Sequence, residues 1–416
     1  RDEPVDMTVE EVLKHATDPD FRLNLDVSGM EFMSIIRLLS HIGARMLQKD
    51  DSLHRKRRKK PLPDELIAET LAELEADRPL YGGKQNFFQI PDSKGAVGRG
   101  KQPTSKLSPT APGDNSQAYW DRDKHKPVTL SAEDALRQIL IFSMYSSAGN
   151  NKFENRKCQN GSPGIRFLGA GNTATEVMVQ SQNLWDSLLC SIPATWVAGS
   201  GMPAWADPMG EQSKTDTGMH PLWQASWMPN GVSGYWEGGE LVGVGVGGVP
   251  PQYLGSFSKL WSPGDKDAKE SYKAWFKQRD TEDPFYLYIR DSKTNDPKAK
   301  RLDLSKDLIQ LAVEWAREGT ISKLDSLMAG RVAAPNFKHD KLLFARHQIG
   351  GNASTPVIRE SVTTNTASSL WCLDQDPEVQ ARIIGQAEFI DTLKQRVCAP
   401  FRRQSDKDHP TFDDLA

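Results

Sequence analysis

The sequence runs to 416 residues, with 52 Lys and Arg against 55 Asp and Glu, a formal net charge of -3, and 38% hydrophobic residues. A chain of this length can bury a substantial core in roughly two or three domains, and its near-balanced charge excludes a global cationic field, so any nucleic-acid face must be a local patch. Cys158, Cys190, Cys372 and Cys398 form no Cys-x-x-Cys pair, which removes the usual zinc and redox signatures and fits a reducing cytoplasm. The longest apolar run, around Ile139 to Phe142, is far short of a membrane span. No signal-peptide pattern opens the chain, and Arg1 in place of methionine leaves room for residues ahead of it.

Thr8 with Glu11, and Ser28 with Glu31, have capping-box spacing and predict two helix starts. In the second helix Phe32, Ile35, Ile36, Leu39, Ile42, Gly43 and Met46 follow three-four spacing, which buries one face and leaves Arg37, Ser40 and Arg45 off it. The run Arg55, Lys56, Arg57, Arg58, Lys59, Lys60 repels itself and is closed by Pro61 and Pro63. It predicts a mobile basic loop, either solvated or phosphate-binding. A helix from Asp64 to Glu75 then buries Leu66, Ile67, Leu71 and Leu74.

Periodicity disappears from Pro79 to Pro127. Gly95, Gly100 and Lys101 have P-loop spacing, but Gln102 replaces the metal-binding hydroxyl, and Pro91 and Pro103 deny the flanking strand and helix. Ser131 with Asp134 opens a helix that buries Ala135, Leu136, Ile139, Leu140 and Phe142. It leads into a long loop, Gly149 to Val179, holding five glycines, five asparagines and the cations Lys152, Arg156, Lys157 and Arg166. Exposed amides and fixed positive charge suit a polyanion; a merely solvated surface loop is the other reading. An apolar pattern resumes over Val177 to Leu189 and ends at Pro193.

Seven tryptophans follow, Trp196, Trp205, Trp223, Trp227, Trp236, Trp261 and Trp275, as core anchors or base-stacking platforms. Gly243, Gly245 and Gly248 match a dinucleotide fingerprint, yet Pro250 and Pro251 stand where its helix should begin. Phe285, Leu287 and Ile289 alternate with Tyr286, Tyr288 and Arg290, as in a strand with one buried face. Leu308, Leu311, Ala312 and Trp315 mark a helix stopped by Gly319; a turn-rich stretch follows Met328, then the apolar run Leu342 to Phe344. Asp376 caps, and Pro377 opens, a last helix with Val379, Ile383, Ile384, Ala387, Ile390, Leu393 and Val397 on one side. That face needs cover from residues past Ala416 or from a partner. The eight histidines form no metal motif, and His339 and His347 read as isolated surface or core residues. Catalysis has no positive sign, and local cationic loops with many aromatics favour a binding subunit without a cofactor.

The order of motifs resembles the CasA family, the large subunit of the type I-E CRISPR Cascade surveillance complex. The resemblance is carried by Glu3-Pro4 with Thr8 to His15; Asn86-Phe87-Phe88-Gln89; Ala118-Tyr119; Gly169-Ala170-Gly171-Asn172-Thr173; Leu222-Trp223-Gln224-Ala225-Ser226; Trp275 before Asp283-Pro284; and Met328-Ala329-Gly330 ahead of His339-Asp340. It implies an α+β fold: a large mixed α/β domain over residues 1–375, then over 376–416 the first helix of a C-terminal helical bundle. It further implies a non-catalytic subunit that recognises the protospacer-adjacent motif (PAM) in duplex DNA, starts unwinding and R-loop formation, and docks a helicase-nuclease. Its partners would be the other Cascade subunits, CRISPR guide RNA and double-stranded target DNA. By position the family's glycine loop falls on Asn160, Gly161 and Ser162, its lysine finger on Lys266 or Lys269, and its wedge within Arg331 to Asn336. The family's wedge glutamine is missing here, and a shorter turn, Ala333-Ala334-Pro335-Asn336, stands instead. Tyr119 matches an aromatic that contacts the guide end or a neighbouring subunit. The cations at 55–60 and Lys152, Arg156 and Lys157 become candidates for DNA backbone or the displaced strand. The implied bundle leads us to expect a natural chain that continues, into the rest of the bundle or a fused nuclease. A purely structural assembly subunit, and an enzyme with an unrecognised pocket, are the competing classes.

Overall fold

The computed structural model describes residues 4–56, 60–76, 78–90, 100–110, 129–146, 152–153, 156–157, 162–165, 173–216, 218–228, 230–248, 270, 274, 279, 282–290, 297–299, 330–336, 339–352, 355–367 and 377–398. In chain order the elements begin with α1 (Val9–His15), α2 (Gly29–Lys49), α3 (Asp64–Glu75) and α4 (Ala132–Tyr145). The short hairpin β1 (Lys152–Phe153) and β2 (Arg156–Lys157), β3 (Thr173–Gln180), α5 (Leu184–Ser191) and α6 (Ala194–Val197) follow. Next come β4 (Lys214–Thr215), β5 (Gly218–Met219), α7 (Pro221–Ser226), β6 (Asn230–Glu237) and β7 (Glu240–Gly248). The last are β8 (Tyr288–Arg290), β9 (Pro297–Ala299), β10 (Lys341–Asn352), β11 (Thr355–Ala367) and α8 (Pro377–Cys398).

Helix starts follow the sequence closely. Thr8 and Glu11 exchange both capping-box bonds, while Ser28 and Ser131 each accept from the amide three residues on, which satisfies otherwise orphaned donors. α2 departs from the one-faced reading. Arg37 and Ser40 are as buried as Ile36 and Leu39, because α3, α4, α5, α6, α7, β10 and β11 all contact this helix. Gly29 lets it begin against β11: a Cβ there would lie 2.8 Å from Ser361 Oγ, whose oxygen accepts the Met30 amide at 2.9 Å.

The central sheet is antiparallel in the order β11-β10-β3. β3 occupies part of the stretch read as loop: residues 174–179 are buried on both faces, so no alternation marks them. In a second sheet, β6 and β7 turn through Gly238 and Gly239, both with positive φ, the backbone a two-residue hairpin requires. The glycines that mimicked a cofactor fingerprint are strand residues of β7, and Gln102, from the mimic P-loop, bridges to Val244. Tyr286 and Tyr288 are buried like Phe285 and Leu287, correcting the one-faced strand, because their hydroxyls donate to the carbonyls of Pro163 and Asp283. Trp185, Trp196, Trp205, Trp223 and Trp227 are all core.

One ion network lies inside this core. Arg37 Nε donates to Glu176 Oε1 at 2.8 Å, and Nη1 reaches both oxygens of Asp283 at 3.2 and 3.3 Å. Nη2 stands 2.6 Å from the same Glu176 oxygen, off a hydrogen-bonding angle. The Tyr145 hydroxyl donates to Glu176 Oε2, and His347 Nε2 lies 3.0 Å from that oxygen. His347 Nδ1 meets Ser361 Oγ at 2.8 Å. Ser361 Oγ also accepts the Met30 amide, so His347 lies between Glu176 on β3 and a hydroxyl of β11 that is tied to the start of α2. Burial opposes the charge on Glu176, but Arg37 and then His347 outweigh it, so its carboxyl is held below the usual carboxylate range.

Glu176→Ala leaves a buried guanidinium with Asp283 alone, and urea unfolding is expected to show a loss of about 3–5 kcal/mol. A loss within about 1 kcal/mol, as for an exposed pair, would contradict the network's weight. Nearby, His41 Nδ1 accepts from Trp205 Nε1 at 3.3 Å, and burial with the Arg37 charge pushes the imidazole down to about 3. The unfolded chain binds this proton at about 6.5 while the folded state refuses it, so stability is complete above that pH and falls by about 1.4 kcal/mol per unit below it. His41→Gln should flatten that share of the slope between about pH 6.5 and 5 in denaturant titrations; an unchanged slope would refute the assignment.

Candidate nucleic-acid interface

The described part of the proposed wedge is held at both ends. After α5, residues 192–194 run antiparallel to 330–332. Ala194 N–H donates to Gly330 O at 2.7 Å, Val332 N–H to Ile192 O at 2.9 Å, and Ala333 N–H to Leu189 O at 3.1 Å. Gly330 enters with φ +82, a backbone suited to glycine. Ala333 is buried, Ala334 is exposed, and Pro335 and Asn336 are half-buried. The far end is gathered by Asp340: Oδ2 accepts the Asn336 amide at 2.6 Å and Oδ1 accepts the Ser181 hydroxyl at 2.8 Å. The amides of His339 and Asp340 both return to Asn336 O. Half-buried Arg331 donates from Nη2 to Pro284 O at 3.3 Å, and burial pulls its guanidinium below its ordinary value.

Lys56, second in the basic run, comes to this turn from the other side. Its Nζ lies 3.0 Å from Asp340 Oδ2 and 3.2 Å from Ala334 O. Burial opposes its charge, yet Cys190 and Asp340 outweigh burial and raise the ammonium above its usual value. Burial pushes the Cys190 thiol the other way, up to about 11, against the pull of Lys56. Arg55 and Lys60 of the same run are exposed.

The remaining candidates divide by location. Lys152 pairs with Lys157, and Phe153 with Arg156, so one hairpin carries all three cations. Ser162 faces inward, its hydroxyl 2.7 Å from Ser146 Oγ and its amide donating to Ser146 O. Arg57, Arg58, Lys59, Tyr119, Asn160, Gly161, Lys266 and Lys269 lie outside the described residues, as do Trp261, Trp275 and the helix around Leu308. The structure thus joins Lys56 to the 331–336 turn and fixes Ser162 separately. Sequence reasoning placed Asp340 in a family motif and Cys190 among isolated thiols but gave neither a part in the turn, and it did not single out Ser181.

The Asn86 to Gln89 motif is an anchor. Phe88, at φ +54, stacks on Trp205 with ring centroids 5.0 Å apart. Gln89 donates to Leu80 O at 2.7 Å and accepts from Gly234 N–H at 2.9 Å. A backbone in this sparsely populated region persists only when its surroundings over-determine it. Among the described residues no group of His, Cys, Asp and Glu could hold a metal ion, and no helix is long and apolar enough to cross a membrane.

Comparison with known proteins places the chain in a class first. A family model described as CRISPR-associated protein Cse1 matches residues 2–306, which puts the chain among CRISPR-associated proteins. It belongs to the Cse1 family, also called CasA, as the motif order implied. The structure of Thermus thermophilus CasA (Cse1) matches at TM-score 0.55 and 15% identity, covering 93% of this chain and 74% of that one. Thermobifida fusca Cse1 matches at TM-score 0.58 and 15% identity, covering 92% and 74%. A chain of a "CRISPR RNA-guided surveillance complex, pre-nicking" matches at TM-score 0.58 and 16% identity, covering 94% and 76%. At such identities the likeness is one of fold, and it agrees with the mixed α+β architecture. A search of curated proteins finds no match.

A thiol titrating near 11 is only roughly one part in a thousand thiolate at pH 8, and the thiolate is the reactive form. Peptide mapping after brief alkylation of native protein at pH 8 should therefore find Cys190 unmodified, and modified once urea is present. Rapid native labelling of Cys190 would show that the turn opens readily.

Proposed function

We propose that this chain is the large subunit of an RNA-guided surveillance complex and reads the PAM in duplex DNA without catalysing a reaction. The observation that carries the reading is the 331–336 turn. In a chain of the Cse1 family, the segment matching the wedge is pinned at both ends and presents Ala334 to solvent with Pro335 behind it. A rigid apolar tip is what separating two stacked base pairs requires. In the proposal the glycine loop, Asn160 to Ser162, approaches the minor groove beside Lys266 or Lys269, and Ser162 fixes the loop's end through Ser146. The minor-groove pattern is degenerate, so tolerance for several motifs follows. Exchanging a DNA duplex for an RNA–DNA heteroduplex is nearly balanced, so the protein need open only the first pair and guide pairing does the rest.

The exposed cations Arg55 and Lys60 and the 152–157 hairpin would track phosphate or the displaced strand, and Tyr119 would meet the guide end or a neighbouring subunit. Other Cascade subunits, guide RNA and a helicase-nuclease or fused nuclease complete the proposed partners, in the cytoplasm. α8 fits the first helix of a C-terminal bundle beginning near residue 376: Phe389, Ile390, Leu393 and Val397 are 69%, 51%, 51% and 53% exposed, an apolar stripe that in water calls for a partner. That stripe equally supports an assembly role, and the test separates the two. A guide-loaded complex is titrated, with and without this subunit, against duplexes differing only in the pairs flanking the target. Replacing Ala334, Pro335 and Asn336 by glycine should cost about tenfold on the preferred flank, about 1.4 kcal/mol, and little on others. A subunit that adds binding blind to the flank would leave only the assembly role.

A further inference from the structure

The basic run invites the assumption that all its members meet phosphate. Lys56 is committed elsewhere. Its ammonium bridges a carboxylate that is 5% exposed and a backbone carbonyl at the tip of the turn. We infer that Lys56 and Asp340 form a clamp that holds the Arg331–Asn336 turn in its presenting shape, making Lys56 a positioning residue and leaving phosphate contact to its neighbours.

The clamp has three jaws from distant parts of the chain. Asp340 takes Ser181 on one oxygen, and Lys56 and the Asn336 amide on the other. Ser181 and Asp340 meet because the ladder of β3 and β10 ends on the pair Gln180 and Lys341, which leaves the next residue of each strand side by side. Lys56 reaches them past Cys190, on the helix whose final residues also bind Val332 and Ala333. Should Lys56 swing out to a phosphate, Asp340 would lose its cation where water is least able to replace it, and Ala334 would lose a donor. Arg55, exposed and one residue earlier, carries no such obligation in its burial. The basic run therefore holds a fixed point at its second residue, and exposed Arg55 beside it is the charge left to a polyanion.

This inference rests on the motif-reading proposal, and two readouts keep them apart. In the full-length subunit alone, exchange of the Asn336 amide, which donates to Asp340 Oδ2, reports the clamp directly. Lys56→Gln and Asp340→Asn should each speed exchange there by tenfold or more, and the double variant should be no worse than the worse single one, since both break one unit. Asp340→Asn keeps acceptors for Asn336 and a donor for Ser181, so it remains informative if Lys56→Gln is poorly folded, and Lys56→Arg should restore part of the protection. In the guide-loaded complex, Lys56→Gln should lower discrimination between flanks about tenfold while the slope of log affinity against log salt stays unchanged. Arg55→Gln should do the reverse, lowering that slope by about one without touching exchange. A slope reduced by Lys56→Gln with exchange unaltered would make Lys56 a phosphate contact, and no change in either readout would remove the clamp. If wild-type complex ignores the flank altogether, the motif reading fails, and exchange alone decides the clamp.

Discussion

The ion network around Arg37 is the constraint on which the rest of the structure depends. A guanidinium 3% exposed survives only if fixed negative charge replaces its water. Here the replacement comes from β3 through Glu176, from the turn before β8 through Asp283, and from the Phe285 ring 4.5 Å below the guanidinium. Glu176 in turn draws Tyr145 from α4 and His347 from β10, and His347 draws Ser361 from β11. Removing any one element strands a buried charge or acceptor. The network therefore contributes less to net stability than to uniqueness: a hydrophobic replacement could pack as well, but many alternative arrangements of these elements would then cost little.

The influence of that network extends to the surface through strand register. Glu176 on β3 lies opposite Ala345 on β10, and Ala174 opposite His347, so the bond between Glu176 and His347 is a diagonal contact across neighbouring rungs. A one-residue slip would carry Glu176 to the other face and break it. The same register brings Ser181 to Asp340 beyond the end of the ladder, and Asp340 gathers the 331–336 turn. A buried charge pair and an exposed loop tip are thus linked by one sheet, with each step set by backbone pairing.

Much of this was legible in the sequence, and the failures share a cause. Helices with caps were plain because a hydroxyl and a carboxylate three apart act locally, as Thr8 does with Glu11; Asp64 to Glu75, which has no side-chain cap, was read to the residue from its apolar spacing and the proline before it. The periodic reading failed where a segment is surrounded. It left Arg37 and Ser40 off the buried face of α2 because polarity normally marks solvent, and it hid β3 inside a loop because a strand covered on both faces does not alternate. Tyr286 and Tyr288 misled in the same way. The candidate interface was found by family order and not by residue chemistry: the turn contains two alanines and a proline, which announce nothing. Its anchors Ser181, Cys190 and Asp340 come together only in three dimensions.

The two kinds of cation in the basic run show how one stretch can serve opposite physical demands. A wedge must hold its shape while stacked bases push back, and rigidity at a loop tip requires satisfied, desolvated bonds of the kind Lys56 and Asp340 make. Phosphate tracking requires the opposite, hydrated charges on long side chains that can follow a backbone of variable path, as an exposed arginine or lysine can. In the proposed reading, placing both within a few residues would tie the compliant charges to the rigid tip, so that DNA drawn in by the first would be delivered to the second. Exposed Arg55 and fixed Lys56 stand side by side in the chain, so the run is anchored where it meets the turn.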